Sequence, residues 1–169
     1  MANYLHNDNC ITPLMTSNTA PSPWVTSTLD EYATYPAYKS FAQDAGTGFL
    51  SITLACWLKV FTGGSQYKIS SYTVTVTPFN DGGQAKNWTL KGSNDGTNWS
   101  DALDTQTDQT SWSALEMKTY TLGSISAPYK YFRISISANN GWGSYTAIGP
   151  FELIGSLYIP PNRNNSIIF

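Results

Sequence analysis

The chain has 169 residues, enough for one domain with its own core and short of the roughly 250 at which cores divide. Charged residues make up 12%, against roughly 25% in an average soluble domain, the nine Lys and Arg are spaced singly, and the net charge is −2. This pattern argues against nucleic acid or an anionic membrane as partner, both of which want clustered cations.

Residues 1–14 read as an irregular N-terminal extension. It carries the single histidine, His6, and Cys10. The start is polar and lacks the apolar core of a secretory leader, so synthesis and folding in a cytoplasm are expected. No run approaches the roughly 20 apolar residues of a membrane-spanning helix. Cys56 lies in the apolar run Leu54-Ala55-Cys56-Trp57-Leu58 and reads as a small buried hydrophobe. A Cys10–Cys56 disulfide is one possibility and two free thiols are the other, because spacing alone does not establish a bridge.

From there the apolar period is two. Tyr72, Val74 and Val76 share one face of a strand, and Phe132, Ile134 and Ile136 share one face of another. In the last run Phe151, Leu153, Leu157 and Ile159 align across Gly155. Trp57, Trp88 and Trp99 stand inside strand-like patterns and are assigned to the core, given the area an aromatic ring buries. Gly63-Gly64, Asn80-Asp81-Gly82-Gly83, Asn94-Asp95-Gly96 and Asn139-Asn140-Gly141 mark turns. Strands and turns at this spacing, with no helical period between them, predict an all-β sandwich or barrel over 15–159. Residues 160–169 begin Pro160-Pro161 and leave the sheet as a tail.

The segment Ala85-Lys86-Asn87-Trp88-Thr89-Leu90-Lys91-Gly92-Ser93-Asn94-Asp95-Gly96-Thr97-Asn98-Trp99 is similar to the P-x-x-W-x-L-x-G-S-x-D-G-x-x-W element of the discoidin (coagulation factor 5/8 type C) family, with Ala85 where proline is usual. The preceding Met15–Val25, Tyr35–Phe41 and Trp57–Phe61 stretches are also similar to the family's elements. So are the following Lys118–Leu122, Tyr131–Ile134 and Ala147–Gly155, all in family order. The wording resembles versions found in phage tail and virion proteins. The resemblance implies a discoidin-type jelly-roll β-sandwich whose loops at one end bind a ligand.

Many members of that family hold a structural calcium ion. Here Ala42 replaces the usual Asp after Phe41, and Pro150 replaces the usual Glu. Asp44, Thr47 and Glu152 remain as oxygen donors. Calcium takes about six to eight oxygens with some carboxylate charge, so the site reads as vestigial and no cofactor is expected.

Catalysis is not expected. A triad needs a positioned His between a nucleophile and an orienting acid, whereas His6 lies in the irregular N-terminal extension, and one His with two separated Cys does not make a zinc site. The candidate binding surface is the loop set 34–40, 79–86, 109–113 and 139–145. Trp142 and Trp112 lie in these loops outside any alternating pattern, with Tyr145, Asn140, Tyr35 and Tyr38 near them in sequence. Each Trp either offers a ring face to a sugar or caps the sandwich end as packing. The expected role is a non-catalytic, virion-associated adhesion protein presenting a glycan-binding domain. The alternatives are a purely structural decoration or connector subunit with protein contacts only, and a cellular lectin-like module. Ile167, Ile168 and Phe169 read as an apolar hook for docking onto other virion proteins.

Overall fold

The computed structural model describes residues 7–44, 46–77 and 82–161. Ten strands account for its regular structure, with one 3₁₀ turn at Ala37–Phe41. They are β1 (Val25–Thr28), β2 (Phe49–Ser51), β3 (Cys56–Phe61), β4 (Tyr67–Thr75), β5 (Ala85–Ser93), β6 (Asp104–Gln106), β7 (Met117–Thr121), β8 (Tyr131–Asn139), β9 (Thr146–Ile148) and β10 (Phe151–Leu157). A five-stranded sheet in the order β1-β3-β8-β5-β6 packs against a three-stranded sheet, β10-β4-β7, and a ribbon of β2 and β9 closes one end. Every pairing between these strands is antiparallel. This is the expected all-β jelly-roll sandwich.

The alternating residues fill the space between the sheets. Leu58, Val60, Trp88, Leu90, Phe132, Ile134 and Ile136 face Ile69, Tyr72, Val74, Phe151 and Leu153, all of them buried. The Trp88 indole donates to the Tyr72 hydroxyl at 2.8 Å, which donates to Asp104 Oδ2 at 2.6 Å. This relay ties β5, β4 and β6 together. Burial, with Asp104 adding to it, pushes the Tyr72 hydroxyl well above the ordinary phenol range.

Two assignments from the sequence are corrected. Trp57 and Trp99 are half-buried on the outer face of the five-stranded sheet, where Lys59 lies over Trp57 and Arg133 over Trp99. Leu157 and Ile159 are exposed, at 51% and 78%. The register shift at Ile154/Gly155 is a bulge on β4, where Ser70 is the extra residue, so Leu157 stays on the face of its partner Tyr67 and is exposed because it lies at the end of the strand.

The irregular segment after residue 6 packs along β10. Ile11 donates its N–H to the Leu153 carbonyl, Gly155 donates to Asn9, and Met15 enters the core at 1% exposure. Cys10 and Cys56 are free thiols, and burial pushes Cys56 up to about 12. No helix of the described residues is long and apolar enough to cross a membrane.

Candidate functional site

Three of the four loops singled out in the sequence meet at one end of the sandwich, and Asn140 joins them. Its Nδ2 donates to the carbonyls of Gln84 at 3.0 Å and Gln109 at 3.1 Å. The neighbouring Asn139, buried at the end of β8, shapes the loop that follows. Its Nδ2 donates to the carbonyls of Tyr145 and Trp142, and its Oδ1 accepts the Gly141 N–H. Gly141 has a φ of +114°, which lets the chain reverse there. Trp142 donates its N–H to Gly82, and a Cβ on Gly82 would stand 3.2 Å from that nitrogen.

The loop thus held displays an aromatic pair. Trp142 and Tyr145 lie 5.2 Å apart at 37°, with Trp142 half-buried and Tyr145 36% exposed. Both backbones are anchored by the Asn139 amide, so the rings are presented from a fixed frame. Loss of ordering entropy on binding is correspondingly small.

The other candidates separate. Trp112 is buried at 8%, donates its indole N–H to Gln109 and carries Lys118 Nζ at 3.9 Å over its ring. It packs the sandwich end and is not a ligand platform. Asn140 uses its amide on the neighbouring loops. The β2–β9 ribbon lies between Tyr35 and the aromatic pair, because Leu50 bonds to Tyr35 on one side and pairs with Ala147, which bonds to Gly83 on the other. Tyr35 instead stands 6.2 Å from Tyr32, an exposed ring that sequence reasoning passed over. Tyr38 packs against the core, with its backbone N–H held by Asn18 Oδ1.

The calcium donors do not fit the ion. Asp44 is exposed and its Oδ1 accepts the Gly46 N–H at 2.9 Å, while Glu152 is buried on β10 opposite Thr73. Among the described residues no three His, Cys, Asp or Glu side chains gather. Ile167, Ile168 and Phe169 lie outside the described residues, as does His6.

The sequence matches no protein-family model and none of the curated proteins. Its fold does match solved structures. The CpGH89CBM32-5 module of Clostridium perfringens, solved in complex with GalNAc-β-1,3-galactose, superposes with a TM-score of 0.65 at 15% identity, over 78% of this chain and 95% of that one. The family 32 carbohydrate-binding module of C. perfringens NanJ, solved with galactose, gives 0.60 at 19% identity, over 77% and 92%. The F5/8 type C domain of a Bacteroides fragilis protein gives 0.64 at 18% identity, over 79% and 92%. The chain has the discoidin fold. In it the aromatic pair sits on the loops at one end, and the Asn94-Asp95-Gly96 hairpin of the diagnostic segment sits at the other.

Proposed function

We propose that this discoidin-fold chain is a non-catalytic glycan-binding protein, displayed in many copies on a virion, that takes a sugar against Trp142 and Tyr145. The observation that carries the reading is the half-exposed aromatic pair held by Asn139. A ring face suits the apolar face of a sugar, and the exposed Ser144 between the two rings suits its hydroxyls. The fold shared with modules solved with galactose and with GalNAc-β-1,3-galactose supports a glycan as ligand. An open site of this kind binds weakly, near 1 mM or about −4 kcal/mol. Repetition on a particle raises the apparent affinity by about 10²–10⁴.

The test is an array of neutral glycans probed with the multimerised protein and its Trp142→Ala variant. The variant is expected to lose binding while its melting temperature stays within about 2 °C, as for a surface change that leaves the core intact. Unchanged binding overturns the reading. Mass spectrometry of purified particles tests the virion context. A purely structural role is favoured by one feature, the exposed Leu157 and Ile159 where the chain leaves the sheet. Retention in particles with no glycan recognised would support that alternative.

A further inference from the structure

The basic residues are scattered in sequence, yet the fold lines three of them up. Lys59 on β3 pairs with Arg133 on β8, and Arg133 pairs with Lys91 on β5. All three point outward, because the residues on either side of each face the core. At about 4.8 Å per strand the row spans roughly 10 Å. Like charges directly opposite one another destabilise a sheet. None of the ion pairs among the described residues relieves them. Two rings flank the row instead: Lys59 lies 5.3 Å from Trp57, and the Arg133 guanidinium 4.1 Å from Trp99. Arg133 Nε is buried without a hydrogen-bond partner.

A groove of about 270 Å³ adjoins the row on the same face, crossing β8, β5 and β6. Its walls include Asn87, Thr89, Thr105, Thr107, Ser135 and Ser137. Small side chains on the middle strands, bordered by Trp57 opposite Ser135, make the depression. The hydroxyls of Thr89, Thr105, Thr107 and Ser135 make no hydrogen bond to other described residues. Thr89 and Ser135 stand two residues from Lys91 and Arg133, about 7 Å along the strands.

We propose that this outer face is a second binding surface, separate from the loop end, for an acidic glycan. Sugar rings lie along the groove, whose surface is mostly apolar with Thr and Ser hydroxyls set in it, and carboxylate or sulfate groups meet the Lys59–Arg133–Lys91 row. Charge complementarity selects the occupant, since a row of unrelieved cations gains most from fixed anions. The hydroxyls beside it select a sugar over a nucleic acid, whose phosphates would need cations along a longer track.

The experiment is calorimetric titration of the full chain with a chondroitin sulfate hexasaccharide, a hyaluronan hexasaccharide and neutral cellohexaose. The first two separate sulfate from carboxylate as the recognised anion. Either acidic sugar is expected to bind more tightly than cellohexaose, losing about tenfold or more in affinity between ~50 and ~500 mM salt. The Lys59→Gln/Lys91→Gln double variant is expected to lose about tenfold as well, with Trp142→Ala unaffected. Thr89→Phe, which fills the groove but keeps the cations, is expected to weaken binding at unchanged fold. Acidic sugars binding no better than cellohexaose would overturn the proposal. So would a double variant that binds as its parent does, or binding abolished by Trp142→Ala, which would return the ligand to the loop end.

Discussion

Asp95 shows what the diagnostic segment does at the scale of one residue. Its Oδ1 accepts the N–H groups of Thr97 at 2.8 Å and Asn98 at 2.7 Å, and its Oδ2 accepts the Asn98 side-chain amide at 2.7 Å. The Asn98 amide first, and the two backbone donors after it, hold the carboxyl well below the usual carboxylate range. The motif residue is therefore a turn cap and no part of the site. A depressed pKa contributes stability above the unfolded value of about 3.9, and that stability is lost as pH falls below it. Asp95→Asn is accordingly expected to melt earlier than its parent at pH 7, with the gap closing below about pH 4. A gap that persists unchanged to pH 2 would show that the charge contributes nothing. Residue chemistry also explains the misassigned tryptophans. In Cys56-Trp57-Leu58-Lys59-Val60 the alternation puts Trp57 with Lys59, outside, and ring size had outweighed that pattern. Trp112 is the converse: a loop position gives no alternation to read, and its ring turns inward.

Among the elements, β10 shows where a period-two reading stops. Phe151 and Leu153 are buried as expected, while Leu157, still on the face of its partner Tyr67, is exposed where the strand runs out of the core. A Cβ on Gly155 would stand 2.0 Å from the Lys68 carbonyl oxygen, so β10 and β4 approach too closely for any side chain. Gly155→Ala must part the strands, at an expected cost of about 1–3 kcal/mol, or roughly 2–4 °C of melting temperature per kcal/mol. Glycan binding at the loop end should survive in the folded variant. An unchanged melting curve would contradict the close approach. The strands 72–76 and 131–136 were legible because one face of each is apolar without interruption. The Lys59–Arg133–Lys91 row was not, because it depends on which strands pair and in what register. The aromatic loop was legible as Trp142 and Tyr145. The scaffold under it, Asn139 bonding back to the 142 and 145 carbonyls, was not.

Across the whole molecule, β10 sets a polarity. It starts beside the loop end, where Gly149 bonds to Thr75, and finishes at the opposite end, where Tyr158 bonds to Gln66. The chain therefore leaves the sandwich, with Leu157 and Ile159 exposed, on the side away from Trp142. A contact made there leaves the aromatic pair outward, which is the arrangement a displayed adhesion domain requires. The measurement that bears most directly on this account is a ¹H–¹⁵N titration of the labelled chain with the strongest glycan from the array. The account predicts shifts confined to residues 82–86 and 139–147 and to the Trp142 indole, with the Gly63 and Lys130 end unchanged. Shifts centred elsewhere, with the Trp142 indole unmoved at saturation, would contradict it.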